Sequence, residues 1–471
     1  MKLEPGQPRT MALAALFAGA VTLVPTLVLI LMGHNAGRAA FDSVVYHERF
    51  IRQLAADWPR FDLSNPLTAT TPGYHIVLAA MIKLGLSSEL ALRMISALIG
   101  ASLGGFLAAW LAKRSSKYDA VLMIMPLACS SYVVQSGAWL LPDNLAWLGV
   151  ATIMMLALHP SVSWKPVIFG SVALLGLVLV RQIHIWAASL VWLTAWLNAR
   201  PTERSVFDPL PTRAWHAGVA VLLTLPAFAA LAWFVHLWGG LTAPRFQVNI
   251  TGIGVSTPAF MLVQLAVFSV GFSPWLLPPL VRATRKAPMP LVVAAGIGLL
   301  LAAFPNTTYN EDAGRFSGFW SLAKLTPTIA GHSSPVFLVL APIGAMVIAG
   351  SLIEIPRRTA WVFLGAFVAF TAAQCSTINS FQRYHEPMLL MLLALMSSVQ
   401  PVTGRPVATK YLRPPAIALL CGLLLVVMFR SVRGEPVAPG AVPHPLHTSP
   451  DDPWYVAPVD GGASESISDP A

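Results

Sequence analysis

The chain has 471 residues, of which 56% are hydrophobic and 11% are charged. Globular proteins carry about a quarter charged residues, so this composition excludes an ordinary soluble domain and predicts a polytopic membrane protein. The net charge is +10, but the basic residues fall in short runs between apolar segments rather than in one stripe or patch, which excludes nucleic acid as a partner. The cysteines Cys129, Cys375 and Cys421 lie inside apolar runs without metal-ligand spacing, so we expect neither a disulfide framework nor a metal site.

Apolar runs of roughly 16–24 residues, each near the ~20 needed to cross the hydrocarbon, predict about thirteen transmembrane helices in an all-α integral membrane protein. The runs cover residues 11–32, 89–112, 119–136, 144–158, 166–180, 182–198, 214–238, 258–280, 289–304, 335–353, 359–378, 387–400 and 414–430. The first run lacks a cleavage site and is predicted to be retained. We expect one membrane domain over residues 1–430 and a disordered tail rich in Pro, Gly, Ser and acids over residues 431–471.

The charges between these runs predict the orientation of the chain. With a cytoplasmic amino terminus, the inside segments hold about 17 of the 30 Lys and Arg residues but only about 5 of the 20 acids, as the positive-inside rule expects. The acids therefore fall mostly on the outside. An Ala-rich composition with more Arg than Lys favours a bacterial plasma membrane with an extracytoplasmic site, and the endoplasmic reticulum membrane is the alternative.

Residues 33–88 form the first outside segment, which we predict to be an ordered loop at the membrane surface. It carries Asp42, His47, Asp62 and a turn at Thr70–Gly73. The apolar stretch Tyr74–Leu86 has about 13 residues and is too short to cross, so it is predicted to lie along the interface or to enter the membrane halfway.

Ionisable groups at membrane boundaries are candidates for function. Three outside clusters qualify: Asp42 with His47, Asp143 in Leu-Leu-Pro-Asp-Asn, and the basic pair of motifs around Arg181 and Arg383. Arg181 and His184 are three residues apart and would share one helix face, where a guanidinium suits two oxygens of a phosphate.

Each of these residues also has a structural interpretation. Asp42 and Asp62 would then be solvated loop acids, Arg181 would extend to the interface, and His184 would pack between helices. Asp143 would begin a helix, and Glu386 would pair with Arg383 or His385. The functional interpretation is group transfer from a phosphate-linked lipid, which needs a base for the acceptor hydroxyl and cations for the departing phosphate.

Two motifs resemble a known family. The first motif begins with a segment similar to the family's D-E-x-F-H, which here reads Asp42-Ser43-Val44-Val45-Tyr46-His47. An aromatic-Asp pair, Phe61-Asp62, and a T-T-x-P-G element, Thr70-Thr71-Pro72-Gly73, follow in the family's order. The second motif is Val180–Trp186, which is similar to F-R-Q-T-N-I-x-W. Phe381–His385 matches a late E-P-R-Y-Y element more weakly. The family that these segments resemble is the membrane alpha-1,2-glucosyltransferases, which use dolichyl-phosphate glucose to add the terminal glucose of the N-glycan lipid precursor. It is part of the C-type multi-span glycosyltransferase superfamily.

The resemblance implies a C-type fold and inverting transfer of a hexose, first of all glucose, from a polyprenyl- or dolichyl-phosphate donor. The acceptor would be a glycan, glycolipid or protein outside the cytoplasm. Asp42 would be the catalytic base, with Asp143 in reserve as base or ligand of a divalent cation, a cofactor that is left open. The donor would contact Arg181, Gln182, His184, Arg383 and Tyr384, and the acceptor or its loop would involve His47, Asp62 and Gln264. The second acid of the family's D-E pair is Ser43 here.

Two alternatives stay open. A transporter or flippase for lipid-linked sugars would also have many spans and buried charges, although the two halves of the chain show no internal repeat. An O-antigen ligase or polymerase would concentrate its charges in one large late loop, whereas here the candidate acids are concentrated in the first loop.

Overall fold

A computed structural model describes residues 8–160, 162–199, 207, 210–249, 252–401, 408–433 and 436–437. These ranges form α-helices, short π and 3₁₀ turns, and three isolated β-bridges, with no sheet among them. The α-helices are α1 (Pro8–Leu31), α2 (Arg38–Asp42), α3 (Glu48–Ala56), α4 (Gly73–Lys83), α5 (Glu89–Leu111), α6 (Lys117–Ala128), α7 (Ser131–Ala138), α8 (Asp143–Ala157), α9 (Lys165–Val180), α10 (Ala188–Asn198), α11 (Leu210–Trp238), α12 (Thr257–Lys286), α13 (Pro288–Ala303), α14 (Trp320–Ala323), α15 (Pro335–Ile353), α16 (Arg357–Gln374), α17 (Gln382–Val399) and α18 (Ala408–Ser431).

Every apolar run found in the sequence contains a helix or a pair of helices, which confirms an all-helical integral membrane protein. Six of these helices are long and apolar enough to cross a membrane: α1, α5, α11, α12, α15 and α18. The bent pair α6 and α7 would make a seventh, and α8, α9 and α13 are apolar but shorter. Thirteen crossings therefore stay a prediction.

The helix bundle has two ends, which are identified by contacts between segments far apart in the chain. At the first, which we call the loop end, His34 Nε2 lies 2.8 Å from the Val432 carbonyl oxygen, and the Trp238 indole donates to the Leu63 carbonyl at 2.8 Å. At the other, the basic end, Arg282 pairs with Glu354, and Arg413 pairs with Asp119. The amino end of α1 lies at the basic end, and the carboxyl end of α18 lies at the loop end.

The predicted first loop contains three helices, α2, α3 and α4, and the last of them does not pass through the bundle. Gly73 begins α4 so close to the Leu179 carbonyl that a Cβ there would lie 2.6 Å from the oxygen. After α4, Arg52 of α3 donates to the Ser87 carbonyl at 3.2 Å, and Arg93 of α5 donates to Asn35 at 3.2 Å. Both ends of α4 therefore lie at the loop end, and its 11 residues span only about 16 Å.

Two of the helical passages are broken. α6 and α7 meet at 74° beside Ser130, and a 3₁₀ turn, Gln182–Ala187, separates α9 from α10. Such breaks expose backbone groups that need partners within the protein. Both breaks are polar in sequence and lie close to the loop end.

α17 is the centre of the bundle. Its residues from Met388 to Met396 are all buried, and an apolar surface around the whole helix is typical of a helix surrounded by protein. Large exposed apolar side chains instead cover α1, α11 and α13, as expected of helices facing lipid. α17 enters this core directly after Arg383 and Tyr384, which places these two polar residues where the core opens to the loop end. The predicted disordered tail lies outside the described residues from residue 438 onward.

Candidate active site

Asp42 and Arg383 meet at the loop end although they are 341 residues apart in the chain. The Arg383 Nη1 lies 3.5 Å from the Asp42 Oδ2, and the two side chains are 39% and 21% exposed. Asp42 is the last residue of α2, and Arg383 lies in the first turn of α17. The long separation and partial exposure leave oxygen atoms of Asp42 accessible for another partner.

Tyr384 lies between two guanidinium groups. Its hydroxyl accepts a hydrogen bond from Arg383 Nη2 at 3.1 Å, and the guanidinium carbon of Arg383 lies 4.9 Å from the ring centroid. The guanidinium carbon of Arg181 lies 5.4 Å from the same centroid. Arg181 also forms an ion pair with Asp143, the first residue of α8. One ring therefore connects the Asp42–Arg383 pair with the Asp143–Arg181 pair.

The broken helix explains the position of Arg181. α9 ends at Val180, and Arg181 adopts an extended conformation before the 3₁₀ turn. A regular helix would continue with a side chain every 100°. The extended residue instead turns the Arg181 side chain to Asp143 and Tyr384 at the same end of the bundle.

His47 lies beside the same arginines, and it contacts His75, a residue that the sequence did not predict for the site. Its Nδ1 lies 2.8 Å from the Nε2 of His75, and the two rings lie nearly parallel. Burial and, to a smaller extent, the positive charges of Arg181 and Arg383 together lower the pKa of His47 to about 3. His47 is therefore neutral at neutral pH. His75 directly follows the Thr70–Gly73 turn and Tyr74, so its position after that turn is the only sequence signal it offers.

A π turn, Ser43–His47, follows Asp42. Residues five apart point about 140° away from each other on a regular α-helix, whereas hydrogen bonding from i to i+5 brings them toward one face. The turn thus directs Asp42 and His47 toward the same pair of arginines. Single π turns inside helices are frequent at functional sites.

Tyr46 forms an aromatic wall beside Asp42. Its ring packs edge-on against Phe41 at 6.2 Å and against Phe246 at 5.8 Å between centroids. Burial raises the pKa of Tyr46, the charge of Asp42 raises it further, and the charges of Arg38 and Arg245 lower it. The phenol therefore stays protonated at neutral pH.

Four other predicted residues lie apart from this group. The Gln182 amide accepts from the Thr71 backbone N–H at 3.0 Å and donates to the Ala69 and Leu241 carbonyls. Gln182 thus fastens the first loop to the 3₁₀ turn. Asp62 is exposed and accepts from the backbone N–H and hydroxyl of Ser64, hydrogen bonds that lower its pKa. Their predicted roles in binding stay predictions.

The other two of the four are buried. His184 packs edge-on against Trp147, and its Nδ1 accepts from the Trp186 indole at 3.2 Å. Its Nε2 has no hydrogen-bond partner within the described part of the chain. Gln264 of α12 lies 3.2 Å from the Nδ1 of His385, fully buried between helices. Both residues are therefore positioned behind the site and not on its surface.

A buried polar network supports the start of α17. The Glu386 carboxylate accepts from the Ser130 hydroxyl at 2.6 Å and from the Gln382 amide at 2.6 Å. The Gln382 carbonyl oxygen in turn accepts from the Phe319 backbone N–H at 3.0 Å. The expected pairing of Glu386 with Arg383 or His385 is replaced by these bonds. Ser130 stands at the break between α6 and α7, so the network joins that break to the residues next to Arg383.

The site therefore combines an accessible carboxylate, two guanidinium groups, a phenol and a neutral imidazole. Arginines of this kind bind phosphate oxygens, and a carboxylate accepts a proton. Among the described residues, no three His, Cys, Asp or Glu side chains lie close enough together to hold a metal ion. A divalent cation as cofactor thus stays a prediction that rests on Asp143.

No family model matches the sequence, and no curated protein matches it. A comparison of folds finds that the chain is similar to the crystal structure of ArnT from Cupriavidus metallidurans bound to undecaprenyl phosphate, with 17% identity over 81% of this chain and 76% of that one. The TM-score is 0.38. A similarity this low says nothing about the chemistry of this chain.

Proposed function

We propose that the protein is an inverting glycosyltransferase that moves a hexose from a polyprenyl- or dolichyl-phosphate donor to a hydroxyl of an extracytoplasmic glycan, glycolipid or protein. The proposal is carried by one observation: Asp42 lies beside Arg383 in a group that also holds Arg181 and Tyr384. The family resemblance of the motifs around Asp42 and Arg181 supports it, and glucose is the first sugar to test.

The reaction needs a proton acceptor for the hydroxyl and an anion site for the departing phosphate. Inversion puts these two on opposite sides of the sugar, so the donor must enter between Asp42 and Arg383, which lie 3.5 Å apart. Asp42 takes the proton of the acceptor hydroxyl, whose oxygen forms a bond to the anomeric carbon. The bond from that carbon to the phosphate oxygen breaks, and the phosphate leaves with the electron pair, inverting the anomeric centre. Arg181 and Arg383 stabilise the charge on the departing phosphate.

The pairing of each arginine with an acid is consistent with these roles. A guanidinium held by a carboxylate and a tyrosine ring is oriented before the donor arrives, which reduces the entropy lost on binding. The 3.5 Å contact between Arg383 and Asp42 is long enough that a phosphate can replace it. Neutral His47 adds no further charge to the site.

The site also has an apolar approach for a lipid. The exposed leucines and valines of α1, such as Val24 and Val28, cover a helix whose carboxyl end leads to α2 and Asp42. A polyprenyl chain bound along such a surface would place its phosphate at the loop end. The charge difference between the two ends supports an extracytoplasmic site.

The direct test is transfer of radiolabelled glucose from polyprenyl-phosphate glucose in membranes containing the protein. Asp42→Asn should lower the transfer rate about 10³-fold, the size of effect typical of a lost general base. Asp57→Asn, which changes an exposed acid of the same loop, serves as the matched control and should keep full activity. Full activity of folded Asp42→Asn would disprove the assignment of the base.

A transporter or flippase for lipid-linked sugars is the second candidate, and the two broken helical passages favour it. Discontinuous helices with polar groups at the break are common in transporters, and Ser130 and Glu386 meet at such a break. The candidates separate in proteoliposomes: a flippase moves the labelled lipid across the bilayer without breaking the sugar–phosphate bond, whereas the transferase releases polyprenyl phosphate.

A further inference from the structure

A second charged site lies at the basic end, far from Asp42. A cavity of about 380 Å³ opens between the carboxyl ends of α5 and α8. Its wall includes Trp110, Lys113 and Arg114 from the α5 side and Met155, Leu156 and His159 from the α8 side. Asp143 begins α8 and His159 follows its end, so about 24 Å of helix separates this cavity from the candidate active site.

The cavity combines a cationic rim with an apolar floor. The guanidinium carbon of Arg114 lies 3.7 Å above the centroid of the Trp110 ring, which orients the side chain. In the described ranges, no ion pair with a carboxylate involves Lys113 or Arg114. Phe106, 44% exposed, lies one helical turn below Trp110 and lines the same cavity.

The positive charges of Arg114, Lys113 and Arg358 converge on His159 in the cavity wall. The pKa of His159 is lowered by burial and then by the charges of Arg114, Lys113 and Arg358. An anion bound in the cavity would therefore lie in the field of these three positive charges. Elsewhere at the same end the chain neutralises cations with its own acids, since Glu354 contacts both Arg282 and Lys286.

We propose that this cavity binds the phosphate headgroup of an anionic membrane phospholipid. Lys113 and Arg114 contact the phosphate, and the acyl chain lies along Phe106, Met155 and Leu156. The volume fits a headgroup and the first part of one chain, as in ligand cavities of about 300–1,000 Å³. Basic residues next to a transmembrane helix are also where anionic lipids of the cytoplasmic leaflet concentrate. This site is independent of the proposed transferase activity.

The test is lipid binding to the purified full-length protein, measured by native mass spectrometry with phosphatidylglycerol and phosphatidylcholine of identical acyl chains. Phosphatidylglycerol should bind about 30-fold more tightly than phosphatidylcholine. The double variant Lys113→Gln/Arg114→Gln should lose about 30-fold of that affinity, from about 1 kcal/mol for each basic residue. Its affinity for phosphatidylcholine should fall much less, because the trimethylammonium group of that lipid already offsets the phosphate charge.

The matched control is Lys117→Gln/Lys165→Gln, which removes two exposed charges from the same end without changing the cavity lining. It should keep the preference for phosphatidylglycerol. Lys113→Gln alone provides a milder variant and should lose about fivefold. Equal binding of the two lipids by the wild type, or an equal loss in the control, would overturn the proposal.

A further arm separates a lipid from a soluble anion. Inorganic phosphate at 10-fold molar excess over phosphatidylglycerol should not displace the lipid, because it lacks the contacts of the acyl chain. Displacement by that excess would assign the cavity to a soluble phosphate compound and overturn the lipid assignment.

Discussion

Two acid–arginine pairs, one at each end of the bundle, show how the same residue types serve different purposes. At the basic end, Arg413 Nη1 contacts both carboxylate oxygens of Asp119 at 2.8 and 2.9 Å, with the side chains 12% and 14% exposed. At the loop end, Arg383 and Asp42 are 3.5 Å apart and more exposed. The first pair is closed and holds α18 against α6, whereas the second is open and leaves its charges available to a ligand.

The largest expected effect distinguishes the closed pair from an ordinary surface pair. Asp119→Ala should lower the free energy of unfolding by about 3 kcal/mol, because it leaves the Arg413 guanidinium largely buried without its carboxylate. Glu48→Ala removes the partner of the 46% exposed Arg52 and should cost only about 0.5 kcal/mol. Thermal unfolding in detergent measures both, and equal losses would show that the Asp119 pair carries no special stability.

The open pair should instead respond in catalysis. Arg383→Lys keeps the charge but loses the planar group that donates to Tyr384, so we expect the donor KM to rise about tenfold while stability changes little. Arg52→Lys in the first loop is the control and should have the wild-type KM. Kinetics with the labelled lipid donor provide the measurement; an unchanged KM would remove Arg383 from the donor site.

The last expected effect appears only at acidic pH and concerns the imidazole next to the open pair. The pKa of His47, about 3 in the folded protein, lies below the ~6.5 of an unfolded chain, so the unfolded state binds more protons between these values. Stability is therefore unaffected above pH 6.5 and falls as the pH drops below it. His47→Gln should reduce the loss of stability between pH 7 and 5 by about 2 kcal/mol.

Denaturation of the two proteins at pH 7, 6 and 5 checks this prediction. His236→Gln changes an exposed histidine at the end of α11 and should leave the pH dependence as it is in the wild type. Parallel pH curves for His47→Gln and the wild type would mean that His47 is protonated equally in both states.

The charged segments of the bundle can be predicted from the sequence, but the partners of the individual charges cannot. The basic end is visible as short runs of Lys and Arg between apolar stretches, because charge next to a span is a local property. The partners within it are not: Asp119 and Arg413 are 294 residues apart, and no periodicity relates them. The same holds for Glu386, whose neighbours Arg383 and His385 are the obvious partners in sequence, whereas the fold supplies Ser130.

Composition and hydrophobic runs by themselves determined that this is an all-helical membrane protein, because the length and polarity of a segment decide whether it can lie in hydrocarbon. They also located the polar segments that contain Asp42, Asp143, Arg181 and Arg383. Only the tertiary structure decided that these four meet around Tyr384, while Gln182 bonds to the first loop and His184 and Gln264 are buried between helices. The reason is physical: a helix break, a π turn and the docking of α17 in the centre set side-chain directions, and these depend on packing between segments hundreds of residues apart.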